Sequence, residues 1–460
     1  MVRRLTNVFS AREWLLLLVL TAVQFCHILD FVIIMPLAPM LMRSLHVSPS
    51  GFGLLVSAYT FSAAASGLVA AAYMDRFDRK RMLLFLLAGF GVGTLLCGLV
   101  ESYWLLMAAR VVAGAFGGVL AGVVFAIVGD QIRPERRGTA MGVIMGAFSA
   151  ASVLGLPLGL WLAERYTWEM PFRFLAAVTG IVFVIGLLAL PPMHGHLTGR
   201  RRDDPSAFRE LWAVAREREH VRAFVLTIAI MFSAFTVVPF LAPYLTANVG
   251  MPESELDTMY LAGGLATLLT GPLVFGPLAD RFGHARVFAL TALLSIVPIA
   301  AVTNLPPVSL PVVLTVTTLM MVMASGRMIS VTALVTGVVE PRRRGGFMSL
   351  NSSIQQGAAG AASYVAGLMI GGGEGQPLTG YSRVGLLAIA ATVLTLVLVR
   401  RLRPAAAGAA VAQFDDVGAP SVAAPLEAPR RTAAGAVRPP DEAGRPARDR
   451  RRRPAAATED

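Results

Sequence analysis

The sequence predicts an all-α membrane protein in which twelve transmembrane helices form two pseudo-symmetric six-helix bundles. The chain is 55% hydrophobic and only 15% charged, whereas a soluble domain carries about 25% charged residues. It also contains twelve apolar stretches close to the roughly 20 residues that cross a bilayer, and an internal repeat. Helices are expected because backbone groups in lipid must hydrogen bond within their own segment. The twelve predicted segments are 14–42, 51–73, 82–100, 104–129, 138–162, 173–191, 221–247, 258–279, 287–303, 309–338, 346–370 and 381–400.

Three unrelated local patterns occur twice in the chain at nearly the same offset. Asp-Arg-Phe at 75–77 returns at 280–282, Leu-Ala-Pro at 37–39 returns at 241–243, and Pro-x-x-Arg-Gly-x-x-Met at 134–141 returns at 341–348. Repeats on this scale are typical of transporters built from two related halves. The predicted units are an N-terminal six-helix bundle at 1–193, a cytoplasmic linker at 194–220, a C-terminal six-helix bundle at 221–403 and a disordered cytoplasmic tail at 404–460.

The net charge of +12 follows the topology expected of a membrane protein rather than the pattern of a nucleic-acid-binding protein. The connections 75–81, 130–137, 281–286 and 342–344 hold four, three, two and three Lys or Arg residues, whereas the alternate connections hold little besides Arg43 and Arg165. Basic residues mark the cytoplasmic side. We therefore expect a multi-pass protein of the cell (inner) membrane, with both termini in the cytoplasm and no nucleic-acid partner.

Asp30, Arg110 and His27 form a candidate proton-coupling site, because charges at membrane depth are costly and mark functional positions. Of the acidic residues, only Asp30 lies well inside a predicted segment. A rise of 1.5 Å per residue from opposite ends of segments one and four places Asp30 and Arg110 at similar depth. His27 lies one turn before Asp30 on the same helical face.

Removal from water favours a protonated carboxyl group and a nearby arginine favours an ionised one. The proton affinity of Asp30 is therefore expected to change when the cavity opens or Arg110 moves. Two alternatives stay open: a permanently ionised structural pair, and a hydrogen-bonded structural role for His27.

Arg327 is the third deep charge, near the middle of segment ten, with no acidic neighbour in its own helix. Three interpretations are open: contact with an anionic group of a substrate, a bond to Gln355 or Gln356 on segment eleven, or extension of the side chain toward the cytoplasm. Cys26 and Cys97 show no metal-ligand spacing, and no G-x-x-x-x-G-K-S/T loop is present. No metal, cofactor or ATP is expected.

The two Asp-Arg-Phe hairpins predict a cytoplasmic gate. Helix starts expose N–H groups and a partial positive charge, so Asp75 and Asp280 are expected to contact the starts of segments five and eleven. The alternative is that these charges only set the topology. The other predicted gate residues are Arg76, Arg79, Arg281, Gly283, Asp130, Arg137, Glu340 and Arg344.

The twelve segments and the repeated hairpin resemble the major facilitator superfamily, over about residues 1–403. The hairpins are similar to the family's G-x-x-x-D-R-x-G-R motif: the second copy keeps Gly276, Asp280, Arg281 and Gly283. The first copy has Ala71 and Asp78 where glycines are expected.

Two further patterns carry the resemblance. Arg110-x-x-Ala113-Gly114 resembles the R-x-x-Q-G motif without its Gln, and that motif's Arg is associated with proton coupling in the family. Gly146 and the Gly155-x-Pro157-x-Gly159 group resemble the antiporter motif of exporters, with Gly-x-Pro in place of Gly-Pro. Small residues let helices approach closely and proline bends a helix in the membrane.

The resemblance also implies that segments 1, 4, 7 and 10 line a central cavity. Asp30, Arg110 and Arg327 lie on these segments. Phe232, Phe235 and Tyr244 on segment seven are then expected to contact a substrate.

The expected function is proton-coupled export of a small organic compound, such as a drug, sugar or metabolite, by alternating access. The expected partners are the lipid bilayer, protons and the substrate, and a monomer is expected. A proton symporter or facilitator for nutrient uptake is the first alternative, and a transporter-like membrane sensor is the second. A membrane enzyme is disfavoured, because the segments show no paired catalytic carboxylates, His/Cys ligand cluster or nucleophile with a base.

Overall fold

The computed structural model describes residues 9–193, 207–340, 343–372 and 376–402, which are almost entirely helical. Eleven helical stretches within these ranges are long and apolar enough to cross a membrane. The α-helices are α1 Ala11–Ile33, α2 Ala38–Ser44, α3 Pro49–Tyr73, α4 Arg79–Cys97, α5 Tyr103–Gln131, α6 Arg137–Ala150, α7 Leu156–Arg165, α8 Met170–Ala189, α9 Ala207–Arg216, α10 Arg218–Phe235, α11 Val238–Tyr244, α12 Leu256–Thr270, α13 Gly276–Phe282, α14 His284–Val302, α15 Leu310–Gly337, α16 Arg344–Met369 and α17 Tyr381–Val399.

The predicted eleventh segment, 346–370, is a helix of spanning length that is less apolar than the others. It corresponds to α16, which has 26 residues and carries Asn351, Gln355 and Gln356 in its middle. Together with the eleven apolar stretches, α16 is consistent with the predicted twelve helices. Its polar residues are tolerated where a helix packs against protein rather than lipid.

Segments 14–42 and 221–247 are wrong as single helices. Each is divided by a short turn into a long and a short helix, α1 and α2 in one half and α10 and α11 in the other. Pro36 lies in the first turn, and Pro239 lies in the first turn of α11. Proline lacks an N–H donor and disfavours helical backbone in the residue before it, which favours a break in the helix at these positions. Both halves therefore interrupt their first segment inside the bundle.

Two other segments continue through a wider turn instead of a break. Residues Ala151–Gly155 form a π-helix between α6 and α7, and Gly271–Phe275 form one between α12 and α13. Such π-turns are frequent at functional sites. The first contacts α12 of the second half, and the second contacts α12, α13 and α15 of its own half.

The two halves pack against each other mainly through α3 and α16. Ser57 Oγ donates to the Gly360 carbonyl at 2.7 Å. A Cβ atom on Gly53 would lie 2.7 Å from the Ser363 carbonyl oxygen, so the backbones touch there. Glycine permits this approach because it has no side chain.

The bundle has two ends, which we name by their loops. The basic face carries the connections 77–78 and 132–136 and the described residues 338–340 and 343, and the opposite face carries 45–48, 166–169 and 250–252. α9 contacts α3 and α16 at the basic face. In α9, Val214 is buried and Trp212 is exposed, as in a helix at a polar–apolar boundary. The rest of the predicted linker, 194–206, and the predicted tail lie outside the described residues.

Candidate functional site

Asp30 and Arg110 meet in the interior of the first half, one turn before the break that ends α1. Arg110 Nη1 donates to Asp30 Oδ2 at 2.9 Å and to the Asp30 carbonyl at 3.2 Å. Thr94 Oγ1 on α4 donates to Asp30 Oδ1 at 3.1 Å. Both charged side chains are 0% exposed, so in this conformation the pair is closed off from bulk solvent. A buried pair of this kind persists because its charges compensate each other.

An aromatic stack links this ion pair to the second half. The Arg110 guanidinium lies 4.2 Å from the centre of the Tyr59 ring, a cation–π distance. Tyr59 stacks on Phe31 with ring centres 5.6 Å apart, and Phe31 lies 5.7 Å from Phe235. Phe31 follows Asp30 in α1, and Phe235 is the last residue of α10. The two helix breaks are therefore in contact through packed rings.

Several buried polar atoms around the pair have no partner among the residues the structure describes. They are Arg110 Nε and Nη2, both ring nitrogens of His27, the Tyr59 hydroxyl and Gln24 Oε1. The Tyr59 hydroxyl and His27 Cδ2 both lie within 3.2 Å of the point where a Cβ on Gly117 would stand. Buried polar groups are nearly always satisfied by protein or by water. This cluster is thus a place where water or a proton can be held.

Arg327 of the second half is buried, and it has no acidic partner among the described residues. Its Nη1 donates to Ser233 Oγ at 2.9 Å and to Thr392 Oγ1 at 3.4 Å. Ser233 lies two residues before the end of α10, and Thr392 is on α17. Of the three sequence-based interpretations, the bond to Gln355 or Gln356 is wrong in this structure. The side chain points between α10 and α17 instead of toward α16.

A cavity of about 80 Å³ lies between α10, α15 and α16. Its wall is mostly apolar, and Thr227 Oγ1 donates to Asn351 Oδ1 at 2.8 Å on its polar side. None of its described lining residues is charged. The lining residues are Thr227, Ile230, Met231, Met328, Val331, Thr332, Val335, Met348, Asn351 and Gln355.

The other residues that were predicted to contact a substrate differ in their burial and in their neighbours. Phe232, Phe235 and Gln356 are half-buried, and Gln355 is at the cavity. Tyr244 is turned away from the first half: its hydroxyl donates to the Leu305 carbonyl at 3.0 Å and its ring packs on Tyr381. Tyr244 therefore holds α11 against α17 in this conformation.

The first hairpin at the basic face is bonded within its own half. Arg79 Nε donates to Asp130 Oδ2 at 2.9 Å. Asp78, which stands where the family motif has glycine, caps α4 by accepting from the Arg81 N–H at 2.8 Å. Its other oxygen accepts from the Met193 N–H at 2.8 Å. The departure from glycine thus ties the hairpin to the end of the first half.

Asp280 does not form its part of the expected latch across the basic face in this conformation. Asp280 makes no hydrogen bond or ion pair with any residue in the described ranges, and the side chain of Asp75 lies outside them. Glu340 and Arg344 are exposed. Arg76 and Arg281 lie over the neighbouring rings of Tyr73 and Phe282, and Arg137 Nε donates to the Ile132 carbonyl at 2.9 Å. Gly283 has φ +86°, a conformation that favours glycine.

The glycines of segment five pack on the helix that carries Asp30. A Cβ on Gly155 would lie 2.9 Å from the Leu29 methyl carbons, and one on Gly159 would lie 2.5 Å from Ile33 Cδ1. Pro157 starts α7 just after the π-helix. Gly146 has nothing within 4 Å of its Cβ position. The close approach of α1 and α7 therefore depends on Gly155 and Gly159.

Thr94, Tyr59, Phe31, Ser233 and Thr392 belong to the two sites but were not identified from the sequence. Single hydroxyl and aromatic residues are common in apolar segments, and nothing in the spacing of Thr94, Tyr59, Ser233 and Thr392 sets them apart. Only Phe31 carried a signal, its position beside Asp30.

Across the opposite face, Arg43 and Glu253 join the two halves through a bidentate ion pair. The hydrogen bond to Glu253 raises the pKa of Arg43. Because an exposed pair contributes about 0–1 kcal/mol, we expect Glu253→Gln to shift the equilibrium toward opening of this face by up to about fivefold. The measurement is the maleimide labelling rate of Ser57→Cys, a position buried between α3 and α16. The charge swap Arg43→Glu with Glu253→Arg should restore the slow rate; equal rates in all three proteins would contradict the expectation.

Comparison with known proteins adds an independent result. The family model described as Major Facilitator Superfamily matches residues 20–240 and 223–437. An uncharacterized MFS-type transporter of Bacillus subtilis (strain 168), YceJ, is 28% identical over 254 residues, 55% of this chain and 64% of that protein. Multidrug resistance protein 1 of the same organism is 23% identical over 275 residues, 59% of this chain and 69% of that protein. The match thus spans less than two thirds of the length of YceJ.

Solved transporter structures share the fold. A bacterial homologue of the human lysosomal transporter Spinster has a TM-score of 0.64 at 16% identity, covering 86% of this chain and 98% of its own. The nucleoside transporter NupG has a TM-score of 0.66 at 14% identity, covering 84% and 99%. At these identities the likeness concerns the fold alone.

Proposed function

The chain belongs to the major facilitator superfamily, and we propose that it exports a small organic compound in exchange for protons by alternating access. Membrane transport is the function of the family. Proton coupling, the direction of transport and the substrate are the proposed parts. The observation that carries the proposal is the buried Asp30–Arg110 pair beside the break in α1.

Asp30 is suited to carry the proton. Of the described acidic residues, it alone lies in the interior of a spanning helix. Protonation removes its charge, so the contact of Arg110 with the Asp30 carboxyl is no longer an ion pair, and the contacts with the Asp30 carbonyl and the Tyr59 ring remain. The attraction that holds α5 to the end of α1 then weakens. Because the ion pair is formed and sealed in this conformation, proton uptake is assigned to the conformation in which the opposite face is open, and release of the proton toward the basic face is assigned to the step in which Arg110 pairs with Asp30 again.

The aromatic stack gives protonation a way to act on the second half. A change at Arg110 alters the position of Tyr59, and Phe31 transmits it to Phe235 at the break of α10. A coupling of this kind needs two discrete arrangements of one element. The interrupted segments supply such elements, since a short turn absorbs the backbone change.

Export is supported by the contact between α7 and α1. Gly155 and Gly159 seat Leu29 and Ile33, the residues on either side of Asp30 in α1. Bending at the π-helix Ala151–Gly155 therefore moves the helix that carries the proton site. This arrangement fits the antiporter motif that the sequence resembles. Asp280, Arg344 and Glu340 are proposed to form a latch when the basic face closes.

The test is solute accumulation in proteoliposomes under an imposed pH gradient. The probes are ethidium, glucose and 1-naphthalenesulfonate, a cation, a neutral sugar and an anion. Exchange for protons predicts accumulation of a transported probe when the interior is acidic. Accumulation with an alkaline interior would indicate the symport alternative, and equal uptake under both gradients would indicate a facilitator.

Asp30→Asn should abolish gradient-driven accumulation and leave gradient-free exchange of labelled for unlabelled probe largely intact. The amide preserves size and hydrogen bonding but cannot release a proton. Glu164→Gln, an exposed position on α7, is the matched control and should behave as the unaltered protein. Undiminished accumulation in Asp30→Asn would remove Asp30 from the coupling mechanism.

A further inference from the structure

Arg327 carries a positive charge that nothing described in its half compensates. It lies 17 residues after Leu310 and ten before Gly337 in α15, which is about 25 Å and 15 Å from the two helix ends at 1.5 Å per residue. The described acidic residues of this half all lie near helix ends or in connections. An uncompensated charge at this depth is costly.

The hydrogen-bond partners of Arg327 are neutral and already shared. Ser233 Oγ and Thr392 Oγ1 lie 2.6 Å apart and bond each other as well as Arg327 Nη1. Arg327 Nε is buried and has no acceptor among the described residues, although Arg327 is only 6% exposed. Ser330, one turn further along α15 and 0% exposed, also has an unpaired hydroxyl. Two unpaired donors therefore lie on one face of α15.

In the first half, the charge of the corresponding buried arginine is compensated by a side chain of the protein. Arg110 meets the end of α1 just before its break, and Arg327 meets the end of α10 just before its break. At the first position the partner is the Asp30 carboxylate, and at the second it is the Ser233 hydroxyl. A buried arginine needs charge compensation as well as hydrogen bonds, and Ser233 supplies only the latter.

We infer that a singly charged anionic group binds at Arg327, between α10, α15 and α17, and accepts hydrogen bonds from Arg327 Nε and Ser330 Oγ. Carboxylates and sulfonates fit, because guanidinium donors match planar or trigonal oxygen groups. A free monovalent ion such as chloride also carries one negative charge and accepts hydrogen bonds. The identity of the anion as part of the substrate rests on the proposed transport function.

The neighbouring cavity favours an organic anion. The cavity and the arginine site share helices α10 and α15: Met328 follows Arg327 and Met231 precedes Ser233 by two residues, although neither Arg327 nor Ser233 lines the cavity. Its wall is uncharged and rich in methionine, a flexible side chain that adapts to apolar ligands of different shape. The substrate class that fits both features is an amphiphilic compound with an apolar body and one anionic group.

The experiment measures thermal unfolding of the purified protein in detergent, with sodium sulfate as the reference salt. Chloride, 1-naphthalenesulfonate or neutral 1-naphthol is then added at constant ionic strength. A saturating anion is expected to raise the unfolding midpoint by about 2–5 °C, and 1-naphthol is not. Arg327→Gln should lose this shift and should be more stable than the unaltered protein in sulfate, because an unpaired buried charge is gone. Arg165→Gln, at an exposed arginine, should keep the shift. Ser330→Ala, which leaves the charge, should reduce it.

Stabilisation by the sulfonate alone would identify the anion as the headgroup of an organic substrate, whereas stabilisation by chloride as well would identify a site open to free ions; both support the inference. No shift with either anion, or an equal shift in Arg327→Gln, would overturn it. Gradient-driven ethidium accumulation without any anion effect would leave the transport proposal standing and reject the anion site. An anion effect that depends on Arg327, without transport of any probe, would support the anion site and reject the transport proposal.

Discussion

Arg110→Leu is expected to destabilise the protein by about 3–5 kcal/mol, the usual effect of removing one partner of a buried ion pair. The substitution leaves the Asp30 carboxylate 0% exposed, with Thr94 as its remaining side-chain partner. It also removes the cation over the Tyr59 ring. The measurement is the unfolding midpoint in detergent, followed by fluorescence-detected size exclusion. Arg165→Leu makes the same chemical change at an exposed site on α7 and should be close to neutral.

A second substitution separates lost charge compensation from lost packing. Asp30→Asn in the Arg110→Leu background should recover most of the stability, because no unpaired charge is left in the interior. If the double variant is as unstable as Arg110→Leu alone, the arginine stabilises the fold through its packing on Tyr59 and not through the ion pair. Arg327→Gln is expected to have the opposite effect, a gain in stability in sulfate, because Arg327 has no acidic partner among the described residues.

Gly53→Leu is expected to prevent closure of the opposite face and to abolish transport. A side chain at this position meets the Ser363 carbonyl and the Gly367 backbone, which cannot move aside as a flexible side chain would. Overpacking costs about 1–3 kcal/mol, which lowers the closed population about 5- to 100-fold when each 1.4 kcal/mol is a factor of ten. If the protein alternates between conformations, the α3–α16 interface separates when the opposite face opens. The open conformation should therefore tolerate the leucine.

Two measurements check this result. Transport of whichever probe the unaltered protein accumulates should fall at least tenfold, and Ser57→Cys should become labelled by a membrane-impermeant maleimide. Cys26 and Cys97 are both buried, so the background should be low. Gly180→Leu on α8, where nothing lies within 4 Å of the Cβ position, should transport normally. Loss of folded protein in Gly53→Leu, or unchanged labelling, would contradict a moving α3–α16 interface.

The spanning segments and the deep charges were predictable from the sequence for a single reason. In lipid, apolar length and charge placement are strongly constrained by transfer energy, so both appear in composition before any packing is known. Helical rise alone placed Asp30 and Arg110 at similar depth, where they could meet. The internal repeat identified the hairpins, and the family resemblance then matched them and the Gly-x-Pro-x-Gly group to known motifs.

The helix breaks were harder to predict from the sequence, although the prolines that accompany them were visible in it. Pro36 and Pro239 lie where α1 and α10 have ended, but proline is also tolerated inside membrane helices. A proline in an apolar segment therefore predicts a bend or a break equally well. The choice depends on what satisfies the freed backbone groups, which is a property of neighbouring helices.

Hydropathy, internal repetition and the few charges in apolar segments determined, without coordinates, that this chain spans a membrane in two related halves and carries Asp30, Arg110 and Arg327 inside. Tertiary structure decided which atoms those charges meet: a carboxylate for Arg110, and only hydroxyl groups for Arg327. The cost of burying a charge depends on its own helix and can be read locally. Its compensation depends on side chains from helices far apart in sequence, and only their packing brings these within hydrogen-bonding distance.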